Sequence, residues 1–485
     1  MSMKSIKKNF FYLSAYKMLE MLLPMITSPL LSRRLGAEAL GTYTYVYSIV
    51  SFFVTVAELG VYRYGMREIA KVRDNEKTLN QTYSDIYMTH AFNGGCVAAI
   101  YFLYVILFAD HKVYALILGV TILGNMLDNA FLYVGIENVK AVSVRDGIVK
   151  IAAFILILIL VRTPDDLMKY ALLMVATSFL GKLWGLIHAR KYVKFVKPDL
   201  MNCKLHYKPM AILMIPAVAA IIYQAMDKIM IGAIYNYKDV GYYECASKAL
   251  IPRNIISALG TVLCPRIANL YADRKRKETI GLFENSMKIS LVASYAFMFG
   301  ISAIAKEFAP WFWGVDFSVC SELLIGLSIS IPLWCIGEVI RNQFLLPTGR
   351  DNEYMLAFVM GVVVNAIANI LLIPGYGAIG AILATLLAEL VMSLVQMWLV
   401  REEVPCWKMI GSTLPYFIIG VLMLIGVRGI SRMIQGNLTI HIGIEILFGG
   451  SMFTILSFLY EYITGKRMLL ALIMGKISVK NRRED

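Results

Sequence analysis

Charge is scarce in this sequence. Only 16% of its 485 residues are Asp, Glu, Lys or Arg, where a soluble globular chain carries about 25%. Length alone would suggest about three soluble domains, but no stretch is polar enough to cover one. Histidine is rarer still, at five residues, and the seven cysteines are scattered with no C-x-x-C pair. A disulfide framework and a zinc site are therefore not expected, and the cysteines read as packing residues. There is no G-x-x-x-x-G-K-[ST] phosphate loop, so ATP is not an expected energy source. There is no H-E-x-x-H and no G-x-S-x-G nucleophile elbow. The sequence thus reads as neither an enzyme nor a cofactor-binding protein. A cleavable secretory signal is also not expected. Lys4, Lys7 and Lys8 precede an apolar stretch that outruns a signal's usual length and reads as a first span.

In place of charge there are apolar residues, 59% of the chain. A helix needs about 20 of them to cross the hydrocarbon of a bilayer. Such windows recur at 10–31, 42–66, 84–108, 113–135, 143–161, 167–188, 209–233, 240–263, 286–306, 321–345, 354–373, 378–400, 412–430 and 440–463. They are continuous runs, not the alternating segments of a membrane barrel. The expected fold class is all-α: a polytopic membrane protein with about fourteen transmembrane helices.

Basic residues outnumber acidic ones, for a net charge of +14, but their placement points to membrane topology and not to nucleic acid. They cluster at 4–8, 67–77, 190–208, 266–277 and 466–483, whereas the loops between hold Lys112, Lys238 or no basic residue. The positive-inside rule then puts both termini in the cytoplasm. Arg33 and Arg34 are the exception, in the first external loop. The cluster at 190–208, interrupted by Tyr192 and Phe195, can also be read as a segment on the membrane surface. The stretch 466–477 reads as an interfacial helix.

The two halves resemble each other at a spacing of two hundred residues. Gly41-Thr-Tyr43 to Leu59-Gly60 matches Gly241-Tyr-Tyr243 to Leu259-Gly260, and each copy leads to a charged stretch. Both copies have the same expected orientation, as parallel repeats do. The expected organisation is an N-terminal lobe of six spans (1–200), a C-terminal lobe of six (201–405), and two further spans with a tail (406–485). Two such lobes would face a central cavity.

Polar residues at membrane depth are costly and mark candidate function. Tyr43, Tyr47, Ser51, Thr55, Glu58 and Tyr62 recur at steps of three or four and form one stripe on the second span. Thr121, Asn125 and Asp128 form another on the fourth, Asn365 and Asn369 a third on the eleventh. Thr385, Glu389, Ser393 and Gln396 do so on the twelfth. Such stripes should face an interior or a water-filled cavity, although hydrogen bonding between helices would also account for single members. Among charged residues, Lys17 with Glu20, Asp227 with Lys228, and Glu244 with Lys248 can be ion pairs or substrate contacts. Arg63, Arg67, Lys150, Arg253 and Arg341 lie near span ends, where snorkelling to the head groups would explain them. Glu58, His90 and Glu389 are candidates for coupling to an ion.

The stretches LGAEALGTYTYVYSIVSFFVTVAELGVYRYGMREIA (35–70), YQAMDKIMIG (223–232), VGYYECASKAL (240–250), LLPTGRDNEY (345–354) and PGYGAIGAILATLLAE (374–389) give the chain its likeness to a known family. In order and spacing it resembles the bacterial polysaccharide-unit flippases. These are the Wzx-type branch of the multidrug/oligosaccharidyl-lipid/polysaccharide exporter superfamily. The resemblance implies fourteen spans in two six-helix lobes. It implies a substrate of lipid-linked oligosaccharide on an undecaprenyl pyrophosphate carrier, turned from the cytoplasmic to the outer leaflet of the bacterial cell membrane for capsule or surface polysaccharide. A polysaccharide polymerase would be a downstream partner, membrane lipids the surroundings, and H+ or Na+ a coupling ion. Asp227 and Lys228 match the family's D-[RK] position. Lys17, Arg63, Asp128, Lys248 and Arg253 are added as substrate-binding candidates because the anionic diphosphate and its sugars need cations and polar groups. A multidrug or cation antiporter of the same superfamily is the nearest alternative. A membrane-embedded polymerase or acyltransferase is the alternative from another class, and short external loops argue against it. Export of lipid II for the cell wall is a further alternative, less well matched by the motifs.

Overall fold

A bilayer admits only backbones that satisfy their own N–H and C=O groups, and continuous apolar runs do so as helices. The computed structural model describes residues 3–248, 250–434 and 436–465, and every regular element among them is helical. The helices are α1 (Met3–Glu58), α2 (Val61–Val72), α3 (Glu76–Phe108), α4 (Lys112–Met126), α5 (Ala130–Gly135), α6 (Val139–Leu160), α7 (Leu167–Ala189) and α8 (Leu200–Ile234). Then follow α9 (Tyr237–Lys248), α10 (Pro252–Ala272), α11 (Arg276–Trp313), α12 (Cys320–Ile340), α13 (Asp351–Leu399), α14 (Cys406–Ser431) and α15 (Leu438–Thr464). Side chains at the starts are chosen to accept orphan N–H groups. Asn75 accepts from Thr78 (3.1 Å), Asp199 from Met201 (2.8 Å) and Asn437 from Thr439 (2.9 Å).

Among the described residues, eleven stretches are long and apolar enough to cross a membrane. Two of them, Ser14–Val72 and Asp351–Leu399, each hold two of the windows read from the sequence. Gly36 (φ 75°) breaks α1 and Gly377 (φ 52°) breaks α13, in the left-handed region that glycine enters without a steric penalty. The window at 143–161 falls in α6, which is long enough but carries Arg145, Asp146 and Lys150. All fourteen windows are therefore compatible with the helices, and the chain is a multi-pass, all-α membrane protein.

The chain divides into two compact units between Gly241 and Tyr242. In the first, Leu59, Ile69, Ile86, Phe131, Leu132 and Tyr133 are fully buried in one apolar cluster that joins α2, α3 and α5. In the second, Phe283, Met287 and Leu291 on α11 pack with Ile331 and Val339 on α12 and with Met409 and Met423 on α14.

The glycines that open the two sequence repeats meet. A Cβ on Gly41 would overlap the carbonyl oxygen of Tyr237, and one on Gly241 would overlap that of Ala37. Two backbones thus touch at a point where each copy of the repeat supplies the missing side chain. The repeat is less exact further on. After Glu58 the chain turns through Leu59 (φ 51°) and Gly60 (φ 64°) before α2 begins. Asn93 of α3 donates to the freed carbonyls of Val56 (2.9 Å) and Ala57 (3.2 Å). The matching Leu259-Gly260 lies inside α10, and the interruption comes earlier, before Pro252. Proline suits a first helical position because its missing N–H would have no partner there.

Two basic segments have structural explanations that their sequence does not announce. The stretch 190–199 docks against α3. Asn80 accepts from the Lys194 N–H (2.8 Å), Ser84 from Val196 (3.0 Å) and Asp85 from Asp199 (2.8 Å). Arg34, the exception to the charge rule, donates to the carbonyls of Leu158 (2.9 Å) and Val161 (2.7 Å) and so caps the end of α6. Outside the spans, Arg73 pairs with Glu137, which raises the guanidinium pKa above its ordinary value. The expected interfacial helix at 466–477 lies outside the described residues.

Gly41→Val should destabilise the protein by about 1–3 kcal/mol, because a packed interior resists added volume. The readout is the temperature at which the detergent-solubilised protein loses its monodisperse elution peak. Gly411→Ala, where a Cβ meets open space, should leave that temperature unchanged. Equal behaviour of the two variants would refute the close approach at Gly41.

A charged, tyrosine-lined cavity as candidate functional site

The polar stripe of α1 runs past two cavities in the first unit. The larger, of about 350 Å³, is walled by α1, α4, α6 and α7. Tyr43 and Tyr47 line it with rings stacked 5.7 Å apart, and Tyr43 also meets Tyr170 at 4.7 Å. Next along the stripe, Ser51 and Thr55 turn inward and donate to carbonyls of their own helix, Ser48 (2.7 Å) and Ser51 (2.9 Å). Glu58 and Tyr62 then line a smaller cavity of about 90 Å³ with His90, Asn125 and Asp128. Asp128 faces both cavities.

The charges at and beside the larger cavity are paired, some across helices and some along one helix. Lys150 of α6 donates to Glu20 of α1 at 2.8 Å and lies 4.9 Å from the centre of the Tyr16 ring. Glu20 also accepts from Lys17 at 2.8 Å. Arg145 and Asp146, neighbours on α6, pair at 2.7 Å. The guanidinium of Arg145 is buried against Gly185 of α7, where a side chain on residue 185 would displace it. Lys182 of α7 reaches across to α4, 3.1 Å from the Asn125 side-chain oxygen and 3.7 Å from the Asp128 carboxylate. Arg145, Lys150 and Lys182 therefore stand against Asp128 and Asp146 on the walls, so cations are in slight excess. Thr121, Thr177 and Ser178 add neutral hydroxyls. Such a surface can bind a polar anion that also carries rings or hydroxyl groups.

The candidates read from the sequence fall into separate groups. Glu58, His90 and Asp128 come together around the smaller cavity, with Arg63 exposed on α2 and within electrostatic range of Glu58. Lys17 is exposed and pairs with Glu20, which also accepts from the cavity residue Lys150, and neither Lys17 nor Glu20 lines the cavity. Asp227 is buried on α8 beside the half-buried Lys228, and neither lines these cavities. The remaining three belong to the second unit. Lys248 pairs with Glu244 at 3.1 Å. Arg253 turns inward, donating to Ser330 and lying 5.4 Å from the Trp334 ring centre, which replaces the snorkelling expected for it. Glu389 is buried on α13 along with Thr385, Ser393 and Gln396, and Ser393 donates to the Leu333 carbonyl of α12 at 2.7 Å.

Sequence reasoning missed Arg145, Asp146 and Lys182, and it assigned Lys150 to the head groups. A signal was present. Asp146, Lys150 and the small residues around them recur every three or four positions, as do Ser178, Gly181, Lys182 and Gly185 on α7. A charged face opposite a face of small residues marks two helices that enclose charge.

Comparison with known proteins agrees with this architecture. Residues 6–271 match the family described as polysaccharide biosynthesis protein, and residues 240–449 match the family of the lipid II flippase MurJ. A Haloferax volcanii protein named "Probable low-salt glycan biosynthesis flippase Agl15" is 25% identical over 57% of this chain, a match that spans 58% of that relative's length. A Shigella dysenteriae protein assigned as an O-antigen transporter is 22% identical over 80% of this chain and 98% of its own. Among solved structures, the lipid II flippase MurJ in an inward closed conformation superposes with a TM-score of 0.74 at 16% identity, covering 94% of this chain and 99% of that one. An inward-facing multidrug resistance transporter of the MATE family gives 0.58 at 13% identity, covering 81% and 95%. These two likenesses establish the fold alone. The first family match extends over more than half of the residues, and the chain belongs to the polysaccharide biosynthesis protein family.

Proposed function

We propose that this protein is a flippase for lipid-linked oligosaccharides. It carries repeat units on undecaprenyl pyrophosphate from the cytoplasmic to the outer leaflet of a bacterial plasma membrane, by alternating access, for capsule or other surface polysaccharide. The observation that carries the reading is the cavity in the first unit. Arg145, Lys150 and Lys182 offer charge-assisted hydrogen bonds to a diphosphate. Tyr16, Tyr43 and Tyr47 offer ring faces to sugars, and Asp128 and Asp146 accept from sugar hydroxyls. Lys17 is a further substrate contact in this reading, next to Glu20 and Lys150. In this reading Arg63, Asp227 and Lys228 of the first unit, and Lys248 and Arg253 of the second, are further substrate contacts. Both termini are cytoplasmic in this reading, and a polymerase takes up the flipped units. The names of the relatives, a glycan biosynthesis flippase and an O-antigen transporter, support the same class of cargo.

The multidrug antiporter is less well supported. A cavity for cationic drugs calls for an excess of carboxylates, and here the excess is of cations. A polymerase or acyltransferase would present its reactive groups on a long loop, whereas connections between the described helices are short, 190–199 among the longest.

Deletion of the gene should cause lipid-linked repeat units to accumulate on the cytoplasmic face. Accumulation of units already exposed on the outer face would instead indicate a polymerase. Lys150→Ala and Lys182→Ala should each lower translocation about tenfold, the loss of roughly 1.5 kcal/mol expected for a hydrogen bond to a charged group. Membrane insertion should stay at wild-type levels. Tyr47→Ala should lower translocation several-fold, in line with roughly 1 kcal/mol for a lost aromatic contact. Full translocation by all three variants would remove the cavity from the mechanism.

A further inference from the structure

We propose that the stretch 190–199 and the first turns of α8 form a binding surface for anionic phospholipid head groups. The leaflet this surface faces rests on the topology read from the basic clusters. The lipid contact does not, and neither depends on the flippase reading.

The length of α8 sets the problem. At 1.5 Å per residue its 35 residues extend about 52 Å, and the hydrocarbon of a bilayer is about 30 Å thick. Even a tilt of about 40°, the upper end of the usual range, leaves about 10 Å of the helix outside it. The apolar window of this helix is 209–233, so the surplus lies at its start. There the helix presents Leu200, Met201 and Leu205, each at least 67% exposed, and the exposed Phe195 stands just before them. In water these side chains would be bare.

Positive charge is interleaved with them. Residues 190–208 hold six basic residues and one acidic residue. The acidic one, Asp199, accepts from the Met201 N–H at 2.8 Å as the cap of α8. Lys194 reaches the exposed Glu76 at 3.2 Å. Lys197, Lys204 and Lys208 are exposed and make no ion pair among the described residues.

The surface is held in shape from behind. Asn80, Ser84 and Asp85, all buried on α3, take the N–H groups of Lys194, Val196 and Asp199. Asp85 also accepts from the Asn202 side chain at 3.3 Å, and Gln81 donates to the Lys197 carbonyl at 3.3 Å. The backbone between the lysines is thereby fixed, and the exposed side chains are those that α3 leaves free.

The mixture selects the occupant. An acidic protein or a nucleic acid matches the lysines but not a row of leucine, methionine and phenylalanine beside a membrane span. The boundary between acyl chains and head groups offers both partners at one depth. Apolar side chains enter its inner edge while ammonium groups snorkel to its phosphates. The charge excess is not neutralised within the segment, so anionic lipid is favoured over zwitterionic, by about fivefold for each basic residue near the surface. One helix runs from this surface to Asp227 and Lys228, so lipid held at its start sets the depth of both in the bilayer.

The test uses the full-length protein in phosphatidylcholine vesicles that carry a photoactivatable head-group probe. The probe is phosphatidylglycerol in one sample and phosphatidylcholine in the other, at equal mole fraction. Adducts are mapped by mass spectrometry after proteolysis. Peptides from 190–208 should carry several-fold more adduct from the phosphatidylglycerol probe. That excess should disappear in the combined variant Lys197→Gln, Lys204→Gln, Lys208→Gln. In the wild type it should shrink at about 1 M salt, where screening shortens to about 3 Å. The salt comparison needs no variant and decides the matter if the combined variant fails to insert. Equal labelling by the two probes, or an excess that survives both the substitutions and the salt, overturns the proposal. So does a lack of adducts from either lipid at these residues, which places the surface in water and makes an acidic macromolecule its occupant.

Discussion

A charge enclosed by helices in a bilayer must be neutralised close to where it stands. A single unpaired one costs about 2.5–3.5 kcal/mol at a span centre on insertion scales. Many partners are neighbours on the same helix, but a few sit on another helix, and those pairs also fix which helices are neighbours. Glu20 and Lys150 join α1 to α6, and Lys182 joins α7 to α4. In the second unit Arg428 of α14 donates to Glu307 of α11 at 2.8 Å, and Glu338 of α12 accepts from Ser257 of α10 at 2.7 Å. Tyr416 of α14 donates to the buried Glu461 of α15 at 2.9 Å. Apolar side chains offer no such choice of partner, because lipid is as good a neighbour for leucine as another leucine is. Glycine supplies the other specific contact, at Gly41 and Gly241, by letting two backbones touch.

Much of this was legible in the sequence for a physical reason. Span length and the ban on unsatisfied backbone groups leave little freedom, so apolar windows translate directly into helices. The stripe from Tyr43 to Tyr62 was legible because helical periodicity puts those residues on one face, and that face borders both cavities. The other wall was not legible, because a charge near the end of an apolar window looks like a residue bound for the head groups. Lys150 reads that way until Glu20, 130 residues earlier in the chain, is seen beside it. Contacts of such sequence separation leave no local pattern. Arg34 is a similar case: it violates the charge rule of its loop because its guanidinium is needed by the carbonyls at the end of α6.

The repeat shows how far duplication constrains local geometry. Gly41 and Gly241 keep the same role because each needs the other, and a side chain at either would break one contact. Leu59-Gly60 and Leu259-Gly260 have no such mutual dependence. The first pair makes a left-handed turn supported by Asn93 on α3; the second continues a helix and packs Gly260 against Gln343. The first unit thereby gains a helix end at Glu58, where a carboxylate is held at the edge of a cavity.

The charge pairs differ in how tightly they are held. On α1, Lys17 is 66% exposed and Glu20 40% exposed. Pairs so open to solvent are each worth about 0–1 kcal/mol, little enough for a substrate group to replace one partner. Glu338 and Arg341, at 9% and 13%, are enclosed. Separating an enclosed pair strands a buried charge at several times that cost. Enclosure does not follow the larger cavity, since Arg145 on its wall is 6% exposed and pairs with Asp146. Lys182 lies between the two extremes, 19% exposed and drawn by both a carboxylate and an amide oxygen. Its ammonium is held in the cavity wall by both at once, so the loss of either partner leaves the other to fix its position.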